Sequence, residues 1–230
     1  MTGRADDAIG RIRAAARNVP SRLAFAWGDG ARGRLGTGDE SGSEVPLPLW
    51  SLLRRRARRR WNYVASVSCG RSHSLGVSAR GAVIAWGDSG GDGRLGLGRG
   101  EAAHTPQEVS GGGLGGRPAL QVSAGDRHSL CLDSEGFIWS WGCSADRRLG
   151  IAGQDASDDV LWPVCASKQP GWPLAGVKAR SISAGGRHSC CVDDIGRLWV
   201  WGAGECLGVM PGKTDPLALP TMIDDDVMSP

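Results

Sequence analysis

The chain has 230 residues, a formal net charge of +3, and 37 glycines with 12 prolines. This density of turn-forming residues argues against long helices and favours short elements joined by turns. No apolar run reaches the length of a membrane span, and the N-terminus has no secretory apolar core. The seven cysteines are odd in number and show no paired CxxC spacing. We therefore expect small buried thiols in a reducing cytoplasmic or nuclear compartment, with no zinc, disulfide or cofactor.

Residues 1–21 predict a tail or a short helix from about Ala5 to Arg17. Asp6 and Asp7 would lie in its first turn, where carboxylates complement the helix dipole. An arginine-rich organellar presequence is the alternative, although such presequences are poor in acidic residues.

Residues 22–49 predict half of the unit that recurs later in the chain. Leu23, Phe25 and Trp27 alternate with other residues as in a strand. The segment Arg34-Leu35-Gly36 follows, and then Val45-Pro46 predicts an outer edge strand, because proline cannot donate to a β-ladder. The hairpin that opens the later units is missing here. We expect Trp27, like its equivalents in the later units, to pack in the core.

Residues 50–63 contain a dense run of arginines, whose loss would change the formal charge from +3 to −3. A solvated surface helix or loop is the default interpretation of this run. The alternatives are a nuclear import signal and a contact with nucleic acid or another polyanion, which gains from counterion release. Its members are Arg54, Arg55, Arg56, Arg58, Arg59 and Arg60.

Three full units follow, which we place at residues 64–110, 119–166 and 179–223, before an acidic tail at 224–230. In each, a histidine follows a glycine by three positions, a second glycine follows by eight, and a Trp-Gly pair follows by five. These residues are Gly70, His73, Gly81, Trp86 and Gly87 in the first unit, Gly125, His128, Gly136, Trp141 and Gly142 in the second, and Gly185, His188, Gly196, Trp201 and Gly202 in the third. A fixed period of this kind indicates a repeat architecture.

Each unit predicts a hairpin closed by its second glycine, which enters the left-handed region without strain. The second strand of the hairpin is apolar on both faces, so neighbouring sheets should cover it on two sides. A Leu-Gly pair and then a proline-bearing outer strand follow, as in residues 22–49. The unit is therefore predicted to be a small antiparallel sheet of four strands.

The repeated histidines are the candidate functional residues. Three imidazoles could hold a metal on a common axis, but equivalent positions in successive sheets point in different directions. We therefore expect each imidazole to hydrogen-bond backbone and fix its turn. The serine after each histidine points to the opposite face of its strand, and the glycine-rich segment at 111–116 lacks a phosphate-binding lysine. No catalytic, cofactor-binding or metal-binding residue is predicted, and the chain is not expected to be an enzyme.

The order G-x-x-H-[ST], hairpin glycine, W-G, L-G and proline resembles the regulator of chromosome condensation repeat family over residues 23–223. The resemblance implies an all-β fold, a partial β-propeller of about three and a half four-stranded blades. It also implies a non-catalytic protein-interaction module that binds a partner through blade-connecting loops, with open blade edges available for self-association.

Two other functions are alternatives to this one. The same resemblance implies guanine-nucleotide exchange on a small Ran-like GTPase, whereas the arginine run by itself suggests chromatin or nucleic-acid contact. Ultraviolet sensing is not expected, because the family's plant photoreceptor has tryptophan directly after the first glycine of G-x-x-H. Here Arg71, Asp126 and Gly186 hold that position.

Overall fold

The structure is a computed structural model that describes residues 24–49, 63–98, 100, 102–151, 159–169, 171–207 and 217–223. These residues form four antiparallel sheets, one of two strands and three of four. We call them blades 1 to 4 in chain order. The predicted N-terminal helix, the arginine run and the acidic tail lie outside the described residues.

The strands of each blade follow one another along the chain. Blade 1 pairs β1 (Phe25–Gly28) with β2 (Ser43–Pro48). The strands of the other blades, each sheet running from its first strand to its fourth, are β3 (Val64–Cys69), β4 (His73–Ser78), β5 (Val83–Gly87) and β6 (Ala103–Glu108) in blade 2, β7 (Ala119–Ala124), β8 (His128–Asp133), β9 (Ile138–Gly142) and β10 (Val160–Cys165) in blade 3, and β11 (Ala179–Ala184), β12 (His188–Asp193), β13 (Leu198–Gly202) and β14 (Leu217–Ile223) in blade 4.

Short 3-10 turns complete the regular structure of the described residues. None of the helices in this part of the chain has the length and apolar character needed to span a lipid bilayer. The turns lie at Ala31–Gly33, Ala145–Arg147, Ala166–Lys168 and Gly204–Cys206.

Asp133 shows how the sequence closes the hairpins of blades 3 and 4, where Asp193 is its equivalent, while Ser78 holds this position in blade 2. Its Oδ1 accepts the amide N–H groups of Glu135 at 2.9 Å and Phe137 at 3.0 Å, while its Oδ2 accepts the indole N–H of Trp139 at 2.9 Å. Gly136 adopts a φ of +82°, a left-handed conformation that a residue with a Cβ rarely enters. One buried carboxylate thus fixes the turn and the first part of the next strand.

The third strand of a blade is covered on both sides where a blade lies on each side of it. Strands β5 and β9 are buried along their whole length, and Trp141 and Trp201 are fully buried. Leu198, at the start of β13 in the last blade, is 39% exposed. The expectation for Trp27 is wrong: it is 61% exposed, because no described blade precedes blade 1.

The cysteines divide into two groups. No disulfide joins any of them, and most are buried or half-buried, as expected for small apolar side chains. Burial raises the pKa of Cys191 to about 12, so this thiol is not ionised at neutral pH. Cys69 and Cys206 are exposed, contrary to the expectation that they are buried. Blade 1 has no described strand to cover β3, which ends at Cys69, and Cys206 follows β13 in the last described blade.

Strand direction puts the connections at two opposite ends of the blades. The arginine face, as we call it, consists of the turns after the first strands (70–72, 125–127, 185–187) and the segments after the third strands (29–36, 88–96, 143–150, 203–207). The hairpin face consists of the turns between the second and third strands and the linkers between blades. All three Gly-x-x-His turns therefore lie on the arginine face.

Candidate functional site

Each junction between blades is built around one backbone carbonyl that accepts two hydrogen bonds. The carbonyl of Arg94 in blade 2 accepts the indole N–H of Trp141 at 2.9 Å and the hydroxyl of Ser129 at 2.7 Å, both from blade 3. Buried donors of this kind need such partners. The same arrangement joins Arg34 to Trp86 and Ser74, and Arg148 to Trp201 and Ser189.

The glycine of each Leu-Gly pair makes room for the indole of the next blade. Gly96 has a φ of +68°, and a Cβ on it would lie 2.8 Å from Nε1 of Trp141. Both its backbone conformation and the close approach of the ring therefore require glycine.

The repeated histidines also act across the junctions. Nε2 of His73 lies 2.9 Å from Oγ of Ser129 in the next blade, and Nε2 of His128 lies 2.8 Å from Oγ of Ser189. The expectation that the imidazole bonds to the backbone of its own turn is wrong. The partner is a serine 56 or 61 residues further along the chain, brought in by the stacking of blades.

The direction of these hydrogen bonds decides what the histidine–serine pairs can do. Since the hydroxyl of Ser129 donates to a carbonyl, His73 must donate its Nε2–H to that oxygen. Its buried Nδ1 has no hydrogen-bond partner among the described residues. Burial, with a smaller effect from the nearby Arg94 guanidinium, lowers the pKa of His73 to about 4. Burial likewise lowers the pKa of His128 to about 3.

Neutral imidazoles that donate to serine cannot also take a proton from it. A nucleophilic serine needs the opposite arrangement, with the imidazole as the acceptor and an acid to orient it. In the described part of the chain, no group of histidine, cysteine or acidic side chains is arranged to hold a metal ion either. The pairs therefore fasten one blade to the next.

An ion-pair network lies above these contacts, on the arginine face. Asp92 of blade 2 accepts hydrogen bonds from Arg94 of its own blade at 2.6 Å and from Arg127 of blade 3 at 3.0 Å. Burial alone would raise the pKa of Asp92, but these guanidinium groups outweigh burial and lower it. Asp146 is held in the same way by Arg148 at 2.6 Å and by Arg187 of blade 4 at 3.0 Å.

The first junction departs from this network. Arg32 stands where the other junctions have an aspartate, and Ser72 stands where they have the second arginine. Arg32 instead pairs with Asp88 of blade 2 at 2.9 Å. Sequence reasoning did not identify this network. An aspartate two residues before R-L-G, recurring with an arginine before the next histidine, is the signal that could have revealed it.

Exposed side chains around blade 1 form a second candidate site, because this blade has no inner strands among the described residues. Val67 of blade 2 is 56% exposed, whereas Val122 and Ile182, at the same position in blades 3 and 4, are buried. In the described part of the chain, no imidazole donates to Ser74. Trp27 likewise has no preceding R-L-G carbonyl. As far as the described residues extend, the blade array is therefore open at this end.

Four-stranded antiparallel sheets that stack through repeated contacts and present loops at both ends define a propeller-type repeat protein. Two sequence profiles, both described as the regulator of chromosome condensation (RCC1) repeat, match the chain. The first matches residues 23–77, 80–132 and 135–192, and the second matches 64–94, 120–147 and 179–206. The chain belongs to this repeat family, and both the resemblance and the predicted partial propeller are confirmed.

The matched repeats are offset from the blades. The range 23–77 begins with the strands of blade 1 and ends in β4 of blade 2. Arg34 and Ser74, which meet across the first junction, therefore lie in one repeat. Each later repeat encloses its own carbonyl and serine in the same way. Each sequence repeat thus contains the residues from both sides of a junction between two blades, rather than the strands of a single blade.

The curated relatives are longer proteins. The chain is 34% identical over 180 residues to the human "Probable E3 ubiquitin-protein ligase HERC6", covering 78% of this chain and 16% of that protein. It is 32% identical over 186 residues to "Ultraviolet-B receptor UVR8" of Arabidopsis thaliana, covering 80% of this chain and 38% of the receptor. The chain thus spans less than two fifths of either relative.

Solved structures show the same fold. Human WBSCR16 matches with a TM-score of 0.71 and 26% identity, covering 89% of this chain and 48% of that one. Yeast RCC1 (Prp20), solved bound to Kap60, matches with a TM-score of 0.69 and 22% identity, covering 89% and 45%. The described blades therefore correspond to about half of each of these larger chains.

Proposed function

We propose that this chain is a non-catalytic protein-interaction module whose partner binds the arginine face. Its blades form a scaffold in which buried histidines, serines and tryptophans are used to hold the sheets together. The connections at the two ends present most of the varied side chains available to a partner.

One observation carries this proposal. The three Gly-x-x-His turns share the same buried frame but present different side chains to solvent at the position after the first glycine. Blades 2, 3 and 4 have Arg71, Asp126 and Gly186 there, a cation, an anion and no side chain. Surface variation on a constant frame is typical of a scaffold that presents a specific binding surface.

The chemistry of the described residues supports a role without catalysis. The only repeated histidine–serine pairs among them run in the wrong direction for nucleophilic attack. The ligase activity in the name of HERC6 belongs to a protein of which this chain covers 16%, and it is not part of the proposal.

Affinity purification with mild crosslinking, followed by mass spectrometry, tests the proposed function. We expect the tagged chain to recover at least one protein reproducibly, with crosslinks that map to the arginine face. Arg80, exposed in a turn of the hairpin face, supplies the control for location, because Arg80→Glu should leave recovery unchanged. Failure to recover any reproducible protein partner would contradict the proposal.

The open end at blade 1 makes self-association an accompanying proposal. Exposed strand edges are templates for pairing with another chain. One edge of β1 pairs with no described strand, and Trp27 and Val67 add exposed apolar surface beside it. Light scattering of the purified chain is expected to show a species larger than one copy. A monomer at every concentration would contradict it.

The two remaining functions stay predictions. A nucleotide-release assay on a Ran-like GTPase tests exchange, and an unchanged release rate would exclude it. Nucleic-acid contact through Arg54 to Arg60 concerns residues outside those described. Binding that depends neither on salt nor on these arginines would exclude this contact.

A further inference from the structure

The arginine face contains a cavity of about 460 Å³ that spans the first two junctions. Five of the eight residues that line it are arginines and two are aspartates, an excess of three positive charges. Ser72, the eighth, receives a hydrogen bond of 2.6 Å from Arg94. The cavity is thus a polar, positively charged concavity on the face that we propose to bind a partner.

Most of these arginines already have partners within the protein. Arg34 pairs with Asp29 at 3.0 Å, outside the cavity lining. Arg94 and Arg127 share the buried Asp92. Their role is to hold the blades and the cavity wall in place, and the guanidinium positions are therefore fixed before any ligand arrives.

Arg71 is different from the other lining arginines. It is exposed, and no ion pair or hydrogen bond of its side chain is found among the described residues. Blades 3 and 4 have Asp126 and Gly186 at the position that Arg71 holds in blade 2, and they pack against their neighbours all the same. An arginine is therefore not needed at this position for packing. Arg71 is therefore a cation in the lining of a preformed cavity that no described residue neutralises.

Arg32 adds a second accessible cation at the same junction. Its side chain is 64% exposed and occupies the place of the aspartate that other junctions use to neutralise their arginines. It pairs with Asp88, which is almost buried. Arg32 thus keeps much of its guanidinium available to a group bound in the cavity.

We propose that this cavity binds an acidic protein segment, one with two or more closely spaced carboxylates, and that Arg71 and Arg32 are its main contacts. The inference rests on the proposed function, which it deepens by naming the class of partner. Guanidinium groups bind carboxylates through paired, charge-assisted hydrogen bonds. Asp126, which also lines the cavity, supplies a carboxylate that can accept N–H groups from the backbone of such a segment.

A protein segment fits this cavity better than a nucleic acid. A phosphate backbone favours a continuous row of cations, and single strands also stack their bases on aromatic side chains. Here the lining includes two aspartates beside the arginines, and it contains no aromatic residue. A lining with charges of both signs instead suits a peptide, which carries carboxylates and backbone N–H donors together.

Fluorescence anisotropy with the full chain tests the proposal. The probe is a fluorescein-labelled peptide of alternating Asp and Glu residues, and its control replaces them with Asn and Gln. We expect saturable binding of the acidic peptide only, and Arg71→Glu should weaken it by about tenfold or more. Arg80→Glu makes the same charge change on the hairpin face, and should alter the affinity by less than about twofold. Arg71→Lys should retain part of the binding.

Several outcomes would overturn the proposal. These are absence of binding, equal loss in the Arg71 and Arg80 variants, or tighter binding of a duplex DNA oligonucleotide than of the acidic peptide. Circular dichroism of both variants shows whether a loss reflects unfolding, and Arg71→Gln is the second variant if the glutamate disturbs the turn. If the chain still captures a protein partner after Arg71→Glu, the proposed function stands and only this inference fails.

Discussion

Removing the hydroxyl of Ser129 is the sharpest test of how the blades are joined. This serine is fully buried, donates to the carbonyl of Arg94 and accepts the Nε2–H of His73. In Ser129→Ala the carbonyl keeps its bond from Trp141, but the imidazole loses its only acceptor. The perturbation therefore leaves one buried donor unsatisfied, with little change in volume.

The expected cost follows from that unsatisfied group. Leaving a buried donor unpaired costs about 1–3 kcal/mol, so we expect the free energy of unfolding to fall by about 2 kcal/mol. Ser74 supplies the matched control, since it donates to Arg34 at 3.2 Å but receives no imidazole among the described residues. Ser74→Ala should cost only about 0.5–1 kcal/mol.

Urea unfolding followed by tryptophan fluorescence measures both variants against the unmodified chain. The midpoint should shift further for Ser129→Ala than for Ser74→Ala, with similar slopes, because the surface exposed on unfolding is the same. Equal losses would refute the reasoning, since they would mean that the imidazole contributes nothing to the junction. A gain in stability for Ser129→Ala would refute it as well.

Two further predictions concern the buried histidines and the exposed tryptophan. Because burial lowers the pKa of His73 to about 4 and of His128 to about 3, both stay neutral in the folded chain down to about pH 5, whereas in the unfolded chain they take up protons as the pH falls through 6.5. These groups therefore leave stability unchanged above about pH 7.5, and each lowers it by about 1.2 kcal/mol between about pH 6 and about pH 5. A flat unfolding profile between those two pH values would contradict this. Trp27→Ser should change the unfolding free energy by less than about 0.5 kcal/mol, because the side chain is exposed, whereas Trp141→Ala should cost about 3–5 kcal/mol. Equal costs in calorimetry would show that the two indoles have the same environment.

Much of the fold follows from local patterns in the sequence. Alternating apolar residues, the glycine of Asp133-Ser134-Glu135-Gly136 and the prolines of the outer strands each determine structure over a few residues. The period then shows that one unit recurs, so a blade predicted once is predicted three times. For this reason the sheets and their strand order could be predicted without coordinates.

The contacts between blades could not be predicted in the same way. The partner of His73 is decided by how one blade stacks on the next, and the spacing within a repeat carries no information on that geometry. Trp27 was misjudged for a related reason, because its equivalents are buried by a preceding blade and it has none among the described residues. The role of Arg71 depends on which of its neighbours are already paired, and this can be read only from the structure.

The protonation state of His73 and His128 tests most directly whether the repeated histidines and serines fasten blades rather than perform chemistry. Nitrogen chemical shifts from long-range proton–nitrogen NMR at neutral pH distinguish the two neutral tautomers and the imidazolium. We predict neutral rings with the proton on Nε2, donating to Ser129 and Ser189 respectively. A proton on Nδ1 alone would reverse the direction of these hydrogen bonds, and a charged ring would show that the imidazoles take up a proton at neutral pH. Either result would contradict the account.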